Sequence, residues 1–236
     1  MFLRVLLPVE IGDHGRAGVL ARSVGARFGL PVEEVGGGTA DVVDIAMASS
    51  GLICVADSHH LGRLAPASQL ITRAVTPVLV AGPHVAVAGA LPFDQLLVCM
   101  AGDDFTSRLG KAAASWAQRA GATAWLVEVV GAPGHVVPRD SVDAAPVRRL
   151  ASDLHRLGLD APWDVVHDPH FAEAALRVAG ELPPAVLVVP RADHDRAIAR
   201  SADRTLRLAR RAHVPVLVVP PGGRSNRRQR RWAHAA

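Results

Sequence analysis

Two short apolar runs along this chain read almost alike: residues 77–82, PVLVAG, and residues 215–220, PVLVVP. Each follows a stretch with helical spacing, and their first prolines stand 138 residues apart. Two copies of one closing strand imply two copies of one unit, so the repeat is the first signal to follow. Residues 2–9 read as a buried strand and 12–15 as a turn. Ala17, Leu20, Ala21, Val24 and Phe28 then recur at helical spacing, and Gly29 stands where a helix stops. A short strand is predicted over 30–35, followed by a glycine loop at 36–38. Thr39 is placed to cap a helix carrying Val42, Ile45, Ala46 and Ser49 on one face. A strand at 52–56, a polar loop at 57–66, a helix at 69–75 and the closing strand 77–82 complete the first set.

The pattern restarts at residue 95. A strand at 95–100 leads through a turn at 102–104 into a stripe of Leu109, Ala112, Ala113, Trp116, Ala117 and Ala120, closed by Gly121. A strand at 123–130 and a loop rich in Gly, Pro and Asp at 131–145 follow. Val147, Leu150, Ala151, Leu154 and Leu157 make a second stripe, ended by Gly158, before a short strand at 163–167. Asp168-Pro169 reads as a helix start, because Asp accepts from the free first-turn amides and Pro sacrifices no bond there. Phe171, Ala174, Ala175, Val178 and Leu182 follow on one face. The strand 185–189, a loop at 190–201, a helix at 202–212 and the strand 215–220 end the ordered pattern. Continuous apolar strands alternating with helices predict a parallel sheet covered on both faces. The first set lacks one strand–helix step between residues 35 and 39. The division expected is a shortened unit at 1–83, a linker at 84–91, a full unit at 92–222 and a basic tail at 223–236.

Composition agrees with this layout. Of 236 residues, 50% are hydrophobic and only 4% aromatic, so the core has to be built from aliphatic residues and Ala. Cys54 and Cys99 lie inside apolar strands, as buried free cysteines do, and no disulfide framework is suggested. With no signal-peptide pattern and no apolar run long enough to span a bilayer, the expected location is the cytoplasm. The net charge is +4, and the tail alone carries Arg224, Arg227, Arg228, Arg230 and Arg231, so the body without them sits at −1. Lys111 is the only lysine, which reads as a coding bias.

The order and spacing of these pieces resemble a tandem universal stress protein. Residues 95–130, 168–190 and 204–220 match that family's opening, third-helix and closing segments, and 2–29, 39–60 and 68–82 repeat them. The resemblance implies flavodoxin-like five-stranded units of order 3-2-1-4-5, paired through their last strands into an intramolecular pseudo-dimer, with a homodimer left open. It also implies, for part of the family, an ATP site: an Asp after the first strand and a Gly-x-x-Gly loop, then Gly-Ser/Thr, after the fourth.

Both copies depart from that pattern. In the second, the Asp position falls on Ala101 beside Gly102, and the loop from Pro190 through Arg191 to Ser201 has no glycine. Side chains and proline obstruct the close backbone approach that a phosphate cradle needs. Arg191, Arg196 and Arg200 would attract an anion, opposed by Asp193 and Asp195. In the first copy Glu10 stands for the Asp, and the loop offers Asp57 and Gly62. The nucleotide candidates are therefore Glu10, Asp57 and Gly62, with Gly102, Arg191 and Ser201 as a degenerate equivalent. Neither Asp57, His59 and His60 nor His167, Asp168 and His170 has established metal spacing, so no metal site is assigned. No catalytic residue is assigned either, since nucleophile elbow, zinc-protease and P-loop motifs are missing.

The reading is a non-catalytic stress-response or regulatory module that works through an unidentified protein partner, with no cofactor. The alternatives are an ATP-binding regulator and an enzyme acting on a small phosphate ester. The Arg tail with Trp232 adds a weak expectation of nucleic-acid or anionic-surface binding.

Overall fold

The structure, a computed structural model, describes residues 2–56, 66–87, 91, 93–101, 107–131, 145–182, 186–191 and 198–220. In chain order the elements are β1 (Arg4–Pro8), α1 (His14–Phe28), β2 (Val32–Val35), α2 (Thr39–Ser49), β3 (Gly51–Ala56), α3 (Pro66–Arg73) and β4 (Val78–Ala81). Then come β5 (Gln95–Met100), α4 (Ser107–Ala120), β6 (Thr123–Val130), α5 (Ala145–Arg156), β7 (Trp163–His167), α6 (Phe171–Glu181), β8 (Val186–Pro190), α7 (Ile198–Arg211) and β9 (Val216–Val219).

Among the described residues nine strands form one sheet, β2-β1-β3-β4-β9-β8-β5-β6-β7. Every neighbouring pair is parallel except β4 and β9, which run antiparallel with Val78 opposite Val218, Leu79 opposite Leu217 and Val80 opposite Val216. The closing strands thus pair with each other, and no long apolar edge is left there to template aggregation. Counted within itself, the second half has the order 3-2-1-4-5. The first half has four strands, and β2 is its outer edge.

Alternate residues of each strand feed two cores. One face is covered by α1, α4 and α5, the other by α2, α3, α6 and α7. Cys54 points into the first core and Cys99 into the second. Both thiols are free, and burial pushes both pKa values up, so they behave as hydrophobes. On the first face α1 and α4 meet, with the Phe28 and Phe93 rings edge-on to the fully buried Trp116 at 4.8 and 5.6 Å.

The arginines carry a structural message that composition alone hides. Arg27, at the end of α1, donates to the Ala120 carbonyl at the end of α4. In return Arg119 of α4 donates to the Phe28 carbonyl at 3.4 Å. Each guanidinium meets the orphan carbonyls and negative dipole end of the other helix.

Several local expectations are corrected. Gly38, not Thr39, is the N-cap of α2, and its own N–H donates to Asp41 Oδ2 at 2.9 Å. Ile45, expected on the buried face, is 38% exposed. α3 begins earlier than expected, and α7 begins inside what reads as a loop. Leu157 lies beyond the end of α5 and is exposed. Asp168 is not the cap of α6; that position is His170, and Asp168 instead accepts from the His170 N–H at 2.8 Å in a turn before the helix. No described helix is long and apolar enough to cross a membrane.

Candidate functional site

Open α/β sheets place ligands at the carboxyl ends of the strands where strand order reverses. In the first half that crevice lies between β1 and β3. β1 ends with Val9 N–H donating to Val35 O at 3.0 Å, and the exposed Glu10 follows. Gly12 adopts φ +77°, and a Cβ there would lie 2.3 Å from the Ala56 carbonyl oxygen. Only glycine permits so close an approach. The next amide, Asp13 N–H, donates to that same oxygen at 2.7 Å. Asp13 Oδ1 then accepts from Arg16 N–H at 3.2 Å and caps α1. The glycine loop after β2 comes up to Glu10. Glu10 Oε1 lies 3.8 Å from the position a Cβ on Gly36 would take, and Gly38 N–H is spent on Asp41. His14 Nε2 faces Glu34 Oε1 at 3.8 Å. Glu10, Asp13, Glu34 and Asp41 make this rim acidic, which repels phosphate. The Arg16 and Gly38 amides, at the starts of α1 and α2, are already bonded to Asp13 and Asp41.

The second crevice lies between β5 and β8. Ala101 stands at the end of β5, packed on the second core, where an acid would be needed. Arg191, read from the sequence as attracting an anion, turns one arm of its guanidinium onto the other half. Its Nη1 donates to Ile71 O at 3.0 Å and Ala74 O at 2.6 Å, while its N–H donates to Val219 O at 2.8 Å. Ile71 and Ala74 are at the C-terminal end of α3, so the guanidinium caps a helix of the other half. Arg108 of α4 donates to the neighbouring Val75 O at 3.1 Å.

Asp57, Gly62 and Gly102 lie outside the described residues, as do His59, His60, Asp193, Asp195 and Arg196. Ser201 and Arg200 fall inside α7 rather than in a loop. The structure therefore brings Glu10 to the first crevice and separates Arg191 from the second. Asp168 binds Arg177 Nη1 at 3.1 Å besides the His170 amide. The amide, with help from Arg177, holds its carboxyl below the usual range. Among the described residues no three His, Cys, Asp or Glu side chains converge as a metal site.

Two features escape the pattern reading. Glu128, buried at β6, accepts from Val147 N–H at 3.2 Å in the first turn of α5, which a carboxylate stabilises. At the junction of the halves there is a cavity of about 500 Å³ bordered by His84, Glu173, Arg177, Arg211 and His213. The available signal was small: His84 follows one PVLV run and His213 precedes the other.

The chain matches no protein-family model and no curated protein. Its fold does match solved structures. A universal stress protein from Archaeoglobus fulgidus DSM 4304 superposes with TM-score 0.60 at 17% identity, over 83% of this chain and 71% of that one. A Pseudomonas aeruginosa UCBPP-PA14 protein classed with the universal stress proteins gives 0.53 at 18% identity, over 93% and 83%. A functionally unknown Pseudomonas aeruginosa PAO1 protein gives 0.50 at 18% identity, over 93% and 82%. What this chain shares with them at such identities is the flavodoxin-like fold of universal stress proteins.

Proposed function

We propose that the chain is a universal-stress-protein-like module made of two copies of one unit, a shortened 1–83 and a full 92–222, joined by 84–91. It acts without catalysis, as a stress-response or regulatory protein through protein contacts, and does not hold ATP tightly. The observation that carries this reading is the commitment of the crevice donors. The Asp13, Arg16 and Gly38 amides of the first crevice are all bonded to the protein itself, and at the second Arg191 turns its Nη1 onto α3. A phosphate would have to displace those bonds and then face Glu10. The two-copy reading is supported by matched spacing: Arg27 and Arg119, which cap each other's helices, both stand next to the last residue of theirs.

Isothermal titration of the full chain with ATP and Mg²⁺, repeated on Glu10→Ala, tests it. No heat up to millimolar ATP is the expected result. Micromolar binding that Glu10→Ala abolishes would replace this reading with a nucleotide-responsive regulator whose site is the first crevice.

A further inference from the structure

The junction cavity is lined by none of the residues placed at either crevice. Its walls come from α6, the end of α7 and the turn into β9, with His84 of the chain after β4 on the other side. At about 500 Å³ it is in the range of small-molecule sites. The floor is apolar, with Leu176 and Val214 packed on the second core. Above it the His84 and His213 rings stand 5.5 Å apart with their planes inclined at 40°.

The border carries N–H donors suited to an anion. Two guanidiniums, Arg177 and Arg211, border the cavity, against one carboxylate, Glu173. Glu173 Oε1 is already held by Arg211 Nη1 at 2.8 Å, and Arg177 uses Nη1 on Asp168. A guanidinium has five N–H donors, so one such bond does not exhaust it. Imidazole can donate to the same anion, and its face accepts a flat ring. A metal ion is disfavoured, because the nearest carboxylate is committed to Arg211 and only two imidazoles are left.

We propose that this cavity binds a small organic anion with a planar apolar body: the carboxylate or similar group on Arg211 and Arg177, the ring on the histidine faces over Leu176 and Val214. The site goes beyond the regulatory role proposed above and would give such a module a signal to respond to.

Benzoate serves as the probe, with benzamide as its uncharged counterpart and inorganic phosphate as an anion without a ring. Each is titrated into the full chain while the ring resonances of His84 and His213 are followed by NMR. Benzoate is expected to shift both rings saturably, and benzamide and phosphate to bind at least about tenfold more weakly, the scale of one charge-assisted hydrogen bond. Two variants carry opposite signs. Arg211→Gln removes the anchor and exposes Glu173, so benzoate weakens by about tenfold or more. Glu173→Gln releases Arg211 and removes the competing charge, so benzoate binds more tightly. Both positions are at least partly exposed, and Glu173→Gln decides alone if Arg211→Gln fails to fold. No saturable shift with benzoate, equal binding of benzamide or phosphate, or unchanged or weaker binding by Glu173→Gln overturns the proposal.

Discussion

Along their seam the two halves answer each other, while at their crevices they differ. β4 and β9 cross with Leu79 against Leu217, and α1 and α4 exchange Arg27 and Arg119. Those two arginines stand 92 residues apart, whereas the matching strands start 138 apart, so 46 further residues fall between the two landmarks in the second half. The elements there without a counterpart are α5 and β7, an outer helix and an outer strand. Among the described residues the first half has no equivalent of them, so β2 stands at the sheet edge. That edge is blunted by the exposed Glu33 and Glu34 and by an Arg4–Glu33 ion pair at 2.5 Å. The crevices, by contrast, share a position and little chemistry: carboxylates around glycines in one, Arg191 turned away onto α3 in the other. The seam is under packing constraint from both sides. Residues at the open strand ends answer to local partners instead, Gly12 to the Ala56 carbonyl and Arg191 to α3.

The seam is strongest where Trp116 is gripped by Phe28 and Phe93. Trp116→Ala should cost about 3–5 kcal/mol in urea unfolding. A loss below about 1 kcal/mol would mean that the two halves do not share a cooperative core. Leu79→Ala and Leu217→Ala come next, each at about 2–5 kcal/mol, since both are fully buried. Because the two face each other, the double variant should differ from the summed singles by about 0.5–3 kcal/mol. Additive losses would break the idea of a directly coupled seam.

Arg191→Gln sharpens the contrast between seam and crevice. Losing the bonds to Ile71 and Ala74 should cost about 1–2 kcal/mol of stability. It should leave an ATP titration unchanged. A variant that kept its stability and lost nucleotide affinity would return this arginine to the crevice.

This residue also marks how far the sequence could be read. The strands were legible because a sheet covered on both faces leaves continuous apolar runs, and β3, β4, β8 and β9 are buried throughout. The helix ends at Gly29 and Gly121 were legible because both sit in the left-handed region. The partner of Arg191 was not, since a guanidinium after a strand serves a phosphate or a helix C-terminus equally well. Only the docking of α3, 117 residues away in sequence at Ala74, decides. The same limit applies to His84 and His213, which are far apart in sequence and meet only because β4 and β9 are antiparallel.

The smallest effect is expected at Asp168, where a helix start read from sequence became a turn. Its carboxylate accepts from the His170 amide and from Arg177, and its side chain is 15% exposed. Asp168→Asn should cost about 1 kcal/mol at neutral pH, most of it from the charge-assisted bonds. The pH dependence has a fixed sign. The folded-state pKa lies below the unfolded value of about 3.9, so the contribution is present above that pH and fades as acid takes the carboxylate through its folded pKa. Urea melts of both proteins should therefore diverge at pH 7 and converge toward pH 3. A difference that stayed constant over that range would assign Asp168 to local geometry alone. The turn would then be set by hydrogen bonds that the amide of Asn makes equally well, and Arg177 would contribute nothing through charge.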